Sequence, residues 1–288
     1  MNISVIGGDS RIVELVKILN ENGNDVYLYG LEKSEKLKGF CHTSNLDEVM
    51  EKSDFIITSI PLSKDGKYLN ASYTDEKIIV VDIFKIAKNK KIITGNITNE
   101  IKKYIKTENN NEIIDILKFE ELIVLNSIPT AEGAIQIAME KSLITLHNSK
   151  CLVLGFGRIG KILAKMLLGI GAQVYCEARK EQDIAWIKSY GYNAIHLNDL
   201  DNNLGNFDFI FNTIPYLILD KSRLSLIKSE CLLIDLASKP GGIDFEEAEK
   251  LKLQTDWALA LPGKVAPKTA AGYIYEIIKN IVKIRKED

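Results

Sequence analysis

The chain has 288 residues, 46% of them hydrophobic and 26% charged, which is enough for two ordinary globular domains with real cores. Lys and Arg number 37 against 39 Asp and Glu, and at a net charge of −2 nothing favours a nucleic-acid partner. No stretch approaches 18 uninterrupted apolar residues, and the chain opens directly on a strand pattern instead of a charged and apolar leader. No membrane contact is therefore expected, and the cytoplasm is the expected location.

The four cysteines stand at 41, 151, 176 and 231 without a CxxC pair, and His42, His147 and His196 are far apart. No metal site is expected. Cys151, Cys176 and Cys231 fall in or beside apolar runs and read as reduced core residues.

In chain order, short apolar runs alternate with longer amphipathic stretches, the pattern of βα units and a parallel sheet. Strands are expected at 3–6, 26–29, 55–59 and 78–83, with a helix at 11–22. Residues 109–121 are polar, then weakly helical, and mark a transition. A helix at 130–145, capped by Thr130, leads into a second unit. There the pattern repeats, with strands at 151–154, 174–176, 209–212 and 232–236 and helices at 159–169, 180–190, 245–251 and 271–283. Each half thus opens strand, glycine turn, helix, strand, at a spacing of about 150 residues.

The second opening holds Gly155-Phe156-Gly157-Arg158-Ile159-Gly160 between a strand and a helix, with another strand following within about 30 residues. In that context the first glycine permits the turn, the second admits a pyrophosphate against the backbone, and the third lets helix and strand pack closely. The helix amino terminus offers amides and a positive dipole end to phosphates. The expected architecture is α/β: two doubly wound Rossmann-type domains with parallel sheets and a cleft between them. Residues 1–125 form a substrate or partner domain and 126–288 a dinucleotide domain, the terminal helix 271–285 packing back on the first.

At the end of the next strand, where NAD-binding versions carry an acid, stand Ala178, Arg179 and Lys180. A small neutral residue followed by two cations favours NADP over NAD. Glu177 is one place early, and alternation is expected to point it to the other side of the strand. Thr213, Ile214, Pro215 and Ala237, which follow later strands, complete the expected cofactor contacts. The opening turn Gly7-Gly8-Asp9-Ser10-Arg11 lacks a third glycine and carries Asp9 where a phosphate would lie; either a cleft-facing role or a plain N-cap suits Asp9.

Strand-end loops at 59–63, 126–130, 213–215, 237–242 and 261–267 combine Pro or Gly with hydroxyl or cationic residues. Lys264, in an otherwise apolar stretch between Pro262 and Pro267, is either a carboxylate binder or a snorkelling surface residue.

Taken together, VIGGDSR, SIPLSKDG, NSIPTAEGAI, VLGFGRIGK, DLASKPGG and LALPGKVAPKTAAG resemble the family of the dipicolinate synthase A subunit over nearly the whole chain. The second half is also similar to the cofactor domain of D-2-hydroxyacid dehydrogenases. That wider group uses a His near the last strand loop and an Arg for the substrate carboxylate. Residues 261–267 contain no His, and Lys239 stands near the expected Arg. Alcohol oxidation needs a base for the hydroxyl proton, whereas oxidation of a dihydropyridine asks less, because aromatisation supplies driving force.

The resemblance implies hydride transfer from dihydrodipicolinate to NADP, giving pyridine-2,6-dicarboxylate, in the mother cell of a sporulating bacterium. It also implies an oligomer and, for a partner, a flavoprotein-like B subunit. For the small dicarboxylate, Ser59, Pro61, Ser127, Thr130, Lys239 and Arg11 are the candidate contacts, with Lys264 and Glu132 as catalytic candidates. A dehydrogenase for another small carboxylate and a non-catalytic cofactor-binding subunit remain as alternatives.

Overall fold

The structure, a computed structural model, describes residues 1–53, 55–105 and 109–283. It divides into two units, one made of Met1–Leu125 with the chain from Ala266 onward, the other of Asn126–Val265. The second unit therefore ends before residue 288. Residues 284 and 285, the end of the expected terminal helix, lie outside the described residues.

The first unit contains β1 (Asn2–Ile6), α1 (Ser10–Glu21), β2 (Asp25–Tyr29), β3 (Cys41–His42), α2 (Leu46–Glu51) and β4 (Phe55–Thr58). After these come α3 (Val80–Ile86), β5 (Lys91–Thr94), α4 (Asn99–Ile105) and β6 (Glu112–Asp115). Its six-stranded sheet runs β3-β2-β1-β4-β5-β6, all parallel.

α5 (Glu120–Lys141) contains the unit boundary. The second unit continues through β7 (Lys150–Leu154), α6 (Arg158–Ile170), β8 (Gln173–Ala178), α7 (Glu181–Ser189), β9 (Asn193–His196), β10 (Phe209–Asn212) and α8 (Lys221–Leu224). It closes with β11 (Leu232–Asp235), α9 (Phe245–Lys250), β12 (Gln254–Trp257) and α10 (Leu261–Val265), after which α11 (Pro267–Lys283) returns to the first unit. From one edge the second sheet reads β9-β8-β7-β10-β11-β12, the same order as the first sheet. Each sheet reverses its winding between its first and fourth strands, the Rossmann arrangement that leaves a crevice at the carboxyl edge.

Period-two alternation builds a core on each face of each sheet. In the second unit Cys151, Val153, Cys176, Phe209 and Phe211 face one layer, while Leu152, Leu154, Ile210 and Leu233 face the other. In the first, Ile3, Val5 and Ile57 pack against α1 and against Ala271, Ile274 and Ile278 of α11. Burial pushes the Cys151 and Cys231 thiols up to about 12 and raises that of Cys176, so these three behave as core hydrophobes and not as nucleophiles.

Several expected elements change. The run 78–83 is not a strand: α3 occupies 80–86, and burial at Val80, Ile83, Phe84 and Ala87 follows the i, i+3, i+4, i+7 spacing of a helix face. The strand is β5, just after it. Residues 112–115 of the supposed transition form edge strand β6. The helix expected at 130–145 starts ten residues earlier, at Glu120, and carries Pro129 inside it. Thr130 is accordingly no cap; its hydroxyl donates back to the Asn126 carbonyl at 2.8 Å. Pro129 withdraws the N–H that would have bonded the Leu125 carbonyl, at the residue where the first unit ends.

By length and mean hydropathy α5 meets the requirement for a membrane span. Its Ala131, Ala134 and Ala138 are fully buried in the second unit's core, and Glu132 interrupts its apolar run. Finally, residues 261–265 form a short helix, α10, where a loop was expected.

Candidate functional site

At the carboxyl end of β7 the chain turns through Gly155, with φ at +88°, a backbone region that favours glycine. A Cβ on Gly155 would also meet the Thr213 hydroxyl at 2.7 Å. That hydroxyl donates to the Leu154 carbonyl at 2.9 Å and so ties the turn to the end of β10. Gly160 is required by packing, since a Cβ there would lie 2.1 Å from the Gly155 carbonyl oxygen. Phe156 points inward, 6.3 Å from the rings of Tyr190 and Tyr192.

Gly157 is different. It is the N-cap of the 13-residue α6, and a Cβ on it would meet nothing within 4 Å. Space and the positive end of a helix dipole coincide there, and Gly157 makes no side-chain cap, which fits the phosphates of a dinucleotide.

Beside this turn lies a cleft of about 300 Å³. It gathers Gly155, Phe156, Gly157, Arg179, Lys180, Thr213, Ile214 and Pro215 from the expected cofactor set. Arg158, Ile159 and Gly160, which begin α6, do not line it, and neither does the buried Ala237 after β11. Arg179 and Lys180 are exposed at its rim.

Glu177 also lines the cleft, against expectation. Alternation itself holds: Cys176 and Ala178 face one core layer and Glu177 the opposite face. Glu177, however, is level with Leu154 at the end of β7, and its carboxylate reaches the Gly155 N–H, accepting it at 3.2 Å. The residue is 2% exposed, and burial holds its carboxyl above the usual glutamate range; the Gly155 bond and the charges of Arg223, His196 and Arg179 partly offset that rise.

The loops after β10 and β11 are tied together by Asp235, which is fully buried. Its carboxylate accepts from Asn212 Nδ2 at 2.7 Å, Ala237 N at 3.0 Å and Gly242 N at 2.7 Å. Asn212 in turn accepts from Ile214 N at 3.0 Å, and Trp257 Nε1 donates to the Ala237 carbonyl at 3.0 Å. Lys239 sits exposed on the loop so held. Neither Asn212 nor Asp235 was singled out from sequence, although a polar residue closing an apolar strand run is a usable signal for both. Glu177 left a similar signal, an ionisable residue inside an apolar run, and Asp183 and Tyr216 of the cleft left none.

The catalytic candidates lie on α5 and α10, and both are exposed. A Cβ on Gly133 would meet Leu261 at 3.1 Å, so close packing of α5 on α10 brings the NSIPTAEGAI and LPGKVAP segments together, carrying Glu132, Thr130 and Lys264. Ala260, at φ +59°, turns the chain into α10. Ser127, by contrast, is buried at 2% exposure.

In the first unit, the Arg11 guanidinium is spent on Asp9, 2.6 Å away, and on the Ile60 carbonyl, while Asp9 caps α1. The Ser59 hydroxyl is fully buried and donates to the Leu62 carbonyl at 2.9 Å; Pro61 is half-buried. Arg11 and Ser59 therefore brace their own loops. The Gly7-Gly8 turn is covered by the unit's own chain, since Ser72 N donates to the Gly8 carbonyl and a Cβ on Gly7 would meet Leu69 at 2.6 Å. A hollow of about 550 Å³ at Asn2, Phe55, Lys91 and Glu112 lies at the amino ends of the strands, away from the edge where such sheets bind ligands.

Two family models match successive parts of the chain. Residues 2–117 match the family model of the N-terminal domain of the dipicolinate synthase A subunit, and residues 129–241 match that of the D-isomer specific 2-hydroxyacid dehydrogenase NAD binding domain. The chain is 31% identical to the dipicolinate synthase A subunit of Bacillus subtilis (strain 168), over 100% of this chain and 98% of that protein. Its fold superposes on the crystal structure of the dipicolinate synthase A subunit from Bacillus halodurans with a TM-score of 0.88 at 29% identity, covering 97% of each chain. For the crystal structure of the Bacillus subtilis protein the TM-score is 0.87 at 30% identity, covering 100% of this chain and 98% of that one. With a dehydrogenase-type nicotinamide-dinucleotide domain as its second half, the chain is an oxidoreductase subunit, and it belongs to the family of the dipicolinate synthase A subunit.

Proposed function

We propose that the chain oxidises dihydrodipicolinate to dipicolinate with NADP as hydride acceptor, in the cytoplasm and in a complex with a B-type flavoprotein-like subunit. The observation that carries this reading is the cleft at Gly155–Gly157, with two exposed cations at its rim, in a chain similar end to end to the dipicolinate synthase A subunit. When bound, the dinucleotide supplies a two-electron acceptor. Gly157 and the start of α6 hold its phosphates, and Arg179 with Lys180 engages a 2′-phosphate. Lys264 and Lys239 bind and orient the two carboxylates, whereas the Thr130 hydroxyl is already spent on the Asn126 carbonyl. Glu132 accepts the proton that the ring loses alongside its hydride, which balances the aromatisation.

Arg179→Ala should cut the NADP-over-NAD preference by about tenfold or more, the loss of one charge-assisted bond pair. Titration calorimetry with both dinucleotides reads it, and an unchanged preference would discard the assignment. Lys264→Met should raise KM or lower turnover by about 100-fold, read at the nicotinamide absorbance band; an unaffected enzyme removes Lys264 from the site. The same assay with and without the B subunit tests the function itself. One observation favours a second reading, a dinucleotide-binding subunit without chemistry of its own: no His lies in residues 261–267. Dihydrodipicolinate-dependent reduction by the isolated B subunit, undiminished without this chain, would establish that reading.

A further inference from the structure

The cleft beside the glycine turn contains an acid that the family-type reading of the strand end does not use. Glu177 is 2% exposed, hydrogen-bonded to the Gly155 amide at 3.2 Å, and lines the same cleft as Arg179, Lys180 and Asp183. We propose that Glu177 is a cofactor-selectivity residue, neutral when a 2′-phosphorylated dinucleotide fills the cleft and free to ionise beside the unphosphorylated one. The inference rests on the reading of the cleft as a dinucleotide site.

The effect is electrostatic and has a definite sign. The groups that act on the carboxylate are the Gly155 amide in the glycine turn, Arg223 on α8, His196 on β9 and Arg179 at the end of its own strand, and Lys180 and Asp183 line the same cleft. Arg223 is already committed to Asp201 at 2.8 Å. His196 is turned to the Arg179 carbonyl, with Nε2 3.2 Å from it. Arg179 is thus the cation whose field a ligand can redirect. A 2′-phosphate that takes up Arg179 removes that support from Glu177 and adds a second anion nearby. Both effects favour the protonated carboxyl, so binding of the phosphorylated dinucleotide draws one proton from solvent. An unphosphorylated dinucleotide leaves Arg179 where it is and draws less. Affinity for the phosphorylated form consequently falls as pH rises through the titration of Glu177, and the preference narrows.

The test is calorimetric titration with NADP and with NAD, from about pH 5.5 to about pH 8.5, each in two buffers of different ionisation enthalpy. Net proton uptake by the wild-type chain should be larger for NADP than for NAD, by up to about one proton, with the affinity ratio falling by at most about tenfold per pH unit. In Glu177→Gln, which keeps an acceptor for Gly155, the extra uptake should vanish. The free ligand titrates identically in both experiments, so the difference between wild type and variant reports Glu177 together with its reciprocal coupling to the bound phosphate. Equal uptake for the two dinucleotides by the wild type, a measurement independent of whether the variant folds, would overturn the proposal, as would a variant whose uptake matches the wild type. Tighter NAD binding at every pH overturns the NADP assignment instead, and no binding of either dinucleotide overturns the reading of the cleft and this inference together.

Discussion

Gly157→Ala should leave the fold intact and weaken dinucleotide binding by about 100-fold, roughly 3 kcal/mol, whereas Gly160→Ala should destabilise the fold first. The two glycines stand three residues apart in one turn, yet a Cβ meets nothing within 4 Å at the first and lies 2.1 Å from the Gly155 carbonyl oxygen at the second. At Gly157 the backbone angles suit alanine, φ −84° and ψ −159°, and the loss of a glycine N-cap costs only about 0.5 kcal/mol. The new methyl instead occupies the approach of the pyrophosphate. At Gly160 the clash is with backbone, so α6 must shift against β7 at a cost of about 1–3 kcal/mol, outweighing the usual helical gain of about 1 kcal/mol from Gly to Ala. Thermal unfolding and calorimetric titration on both variants separate the outcomes. A Gly157→Ala protein that binds as tightly as the wild type would mean that no ligand backbone approaches this turn.

That contrast also marks what the sequence could disclose. The glycine spacing states a covalent-geometry requirement, and such requirements are legible because few residues meet them. The inner strands β1, β2, β4, β7, β8, β10 and β11 were equally legible, because burial on both faces demands unbroken apolar runs, but inner strand β5, only four residues long, was missed. Edge strands were not: β6, whose residues 112–115 are all only half-buried, has no such constraint, and β3 is just Cys41–His42. The run at 78–83 misled because β-branched residues satisfy strand propensity while the burial at Val80, Ile83, Phe84 and Ala87 is helical. The helix α5 was misread through Pro129, whose usual meaning as a breaker is overridden by the core packing of Ala131, Ala134 and Ala138.

At the site itself, residue types were easier to read than orientations. Arg11 and Ser59 look like ligand donors until their partners are seen, since hydrogen bonds to Asp9, Ile60 and Leu62 are tertiary facts. Glu177 was set aside by alternation, a rule about Cβ direction that says nothing of where a long side chain ends at the last turn of a strand. Lys264 and Glu132 are separated by 131 intervening positions in sequence, and it is tertiary packing, with Gly133 close against Leu261, that brings their helices together.

Asp235→Ala should be the most destabilising single change near the cleft, at about 3–5 kcal/mol. Asp235 is fully buried and accepts from Asn212 Nδ2, Ala237 N and Gly242 N. Removing the carboxylate strands those donors in a dry interior, at a desolvation cost of about 1–3 kcal/mol each where no water can replace it. Asp235→Asn keeps the volume but turns one oxygen into a donor facing other donors, so it should recover less than half of the loss. The consequences also differ in kind from those at the rim. The same carboxylate positions Asn212, which fixes Ile214 N, so the loop that lines the cleft at Thr213–Tyr216 loosens together with the loop that carries Lys239. Asp235→Ala should therefore lower both the melting temperature and the affinity for either dinucleotide without changing the preference between them. Arg179→Ala should do the reverse, altering preference while the melting temperature holds. Chemical denaturation alongside calorimetric titration reads both; an Asp235→Ala protein as stable as the wild type would show that water reaches these donors and that the loops are held by something else.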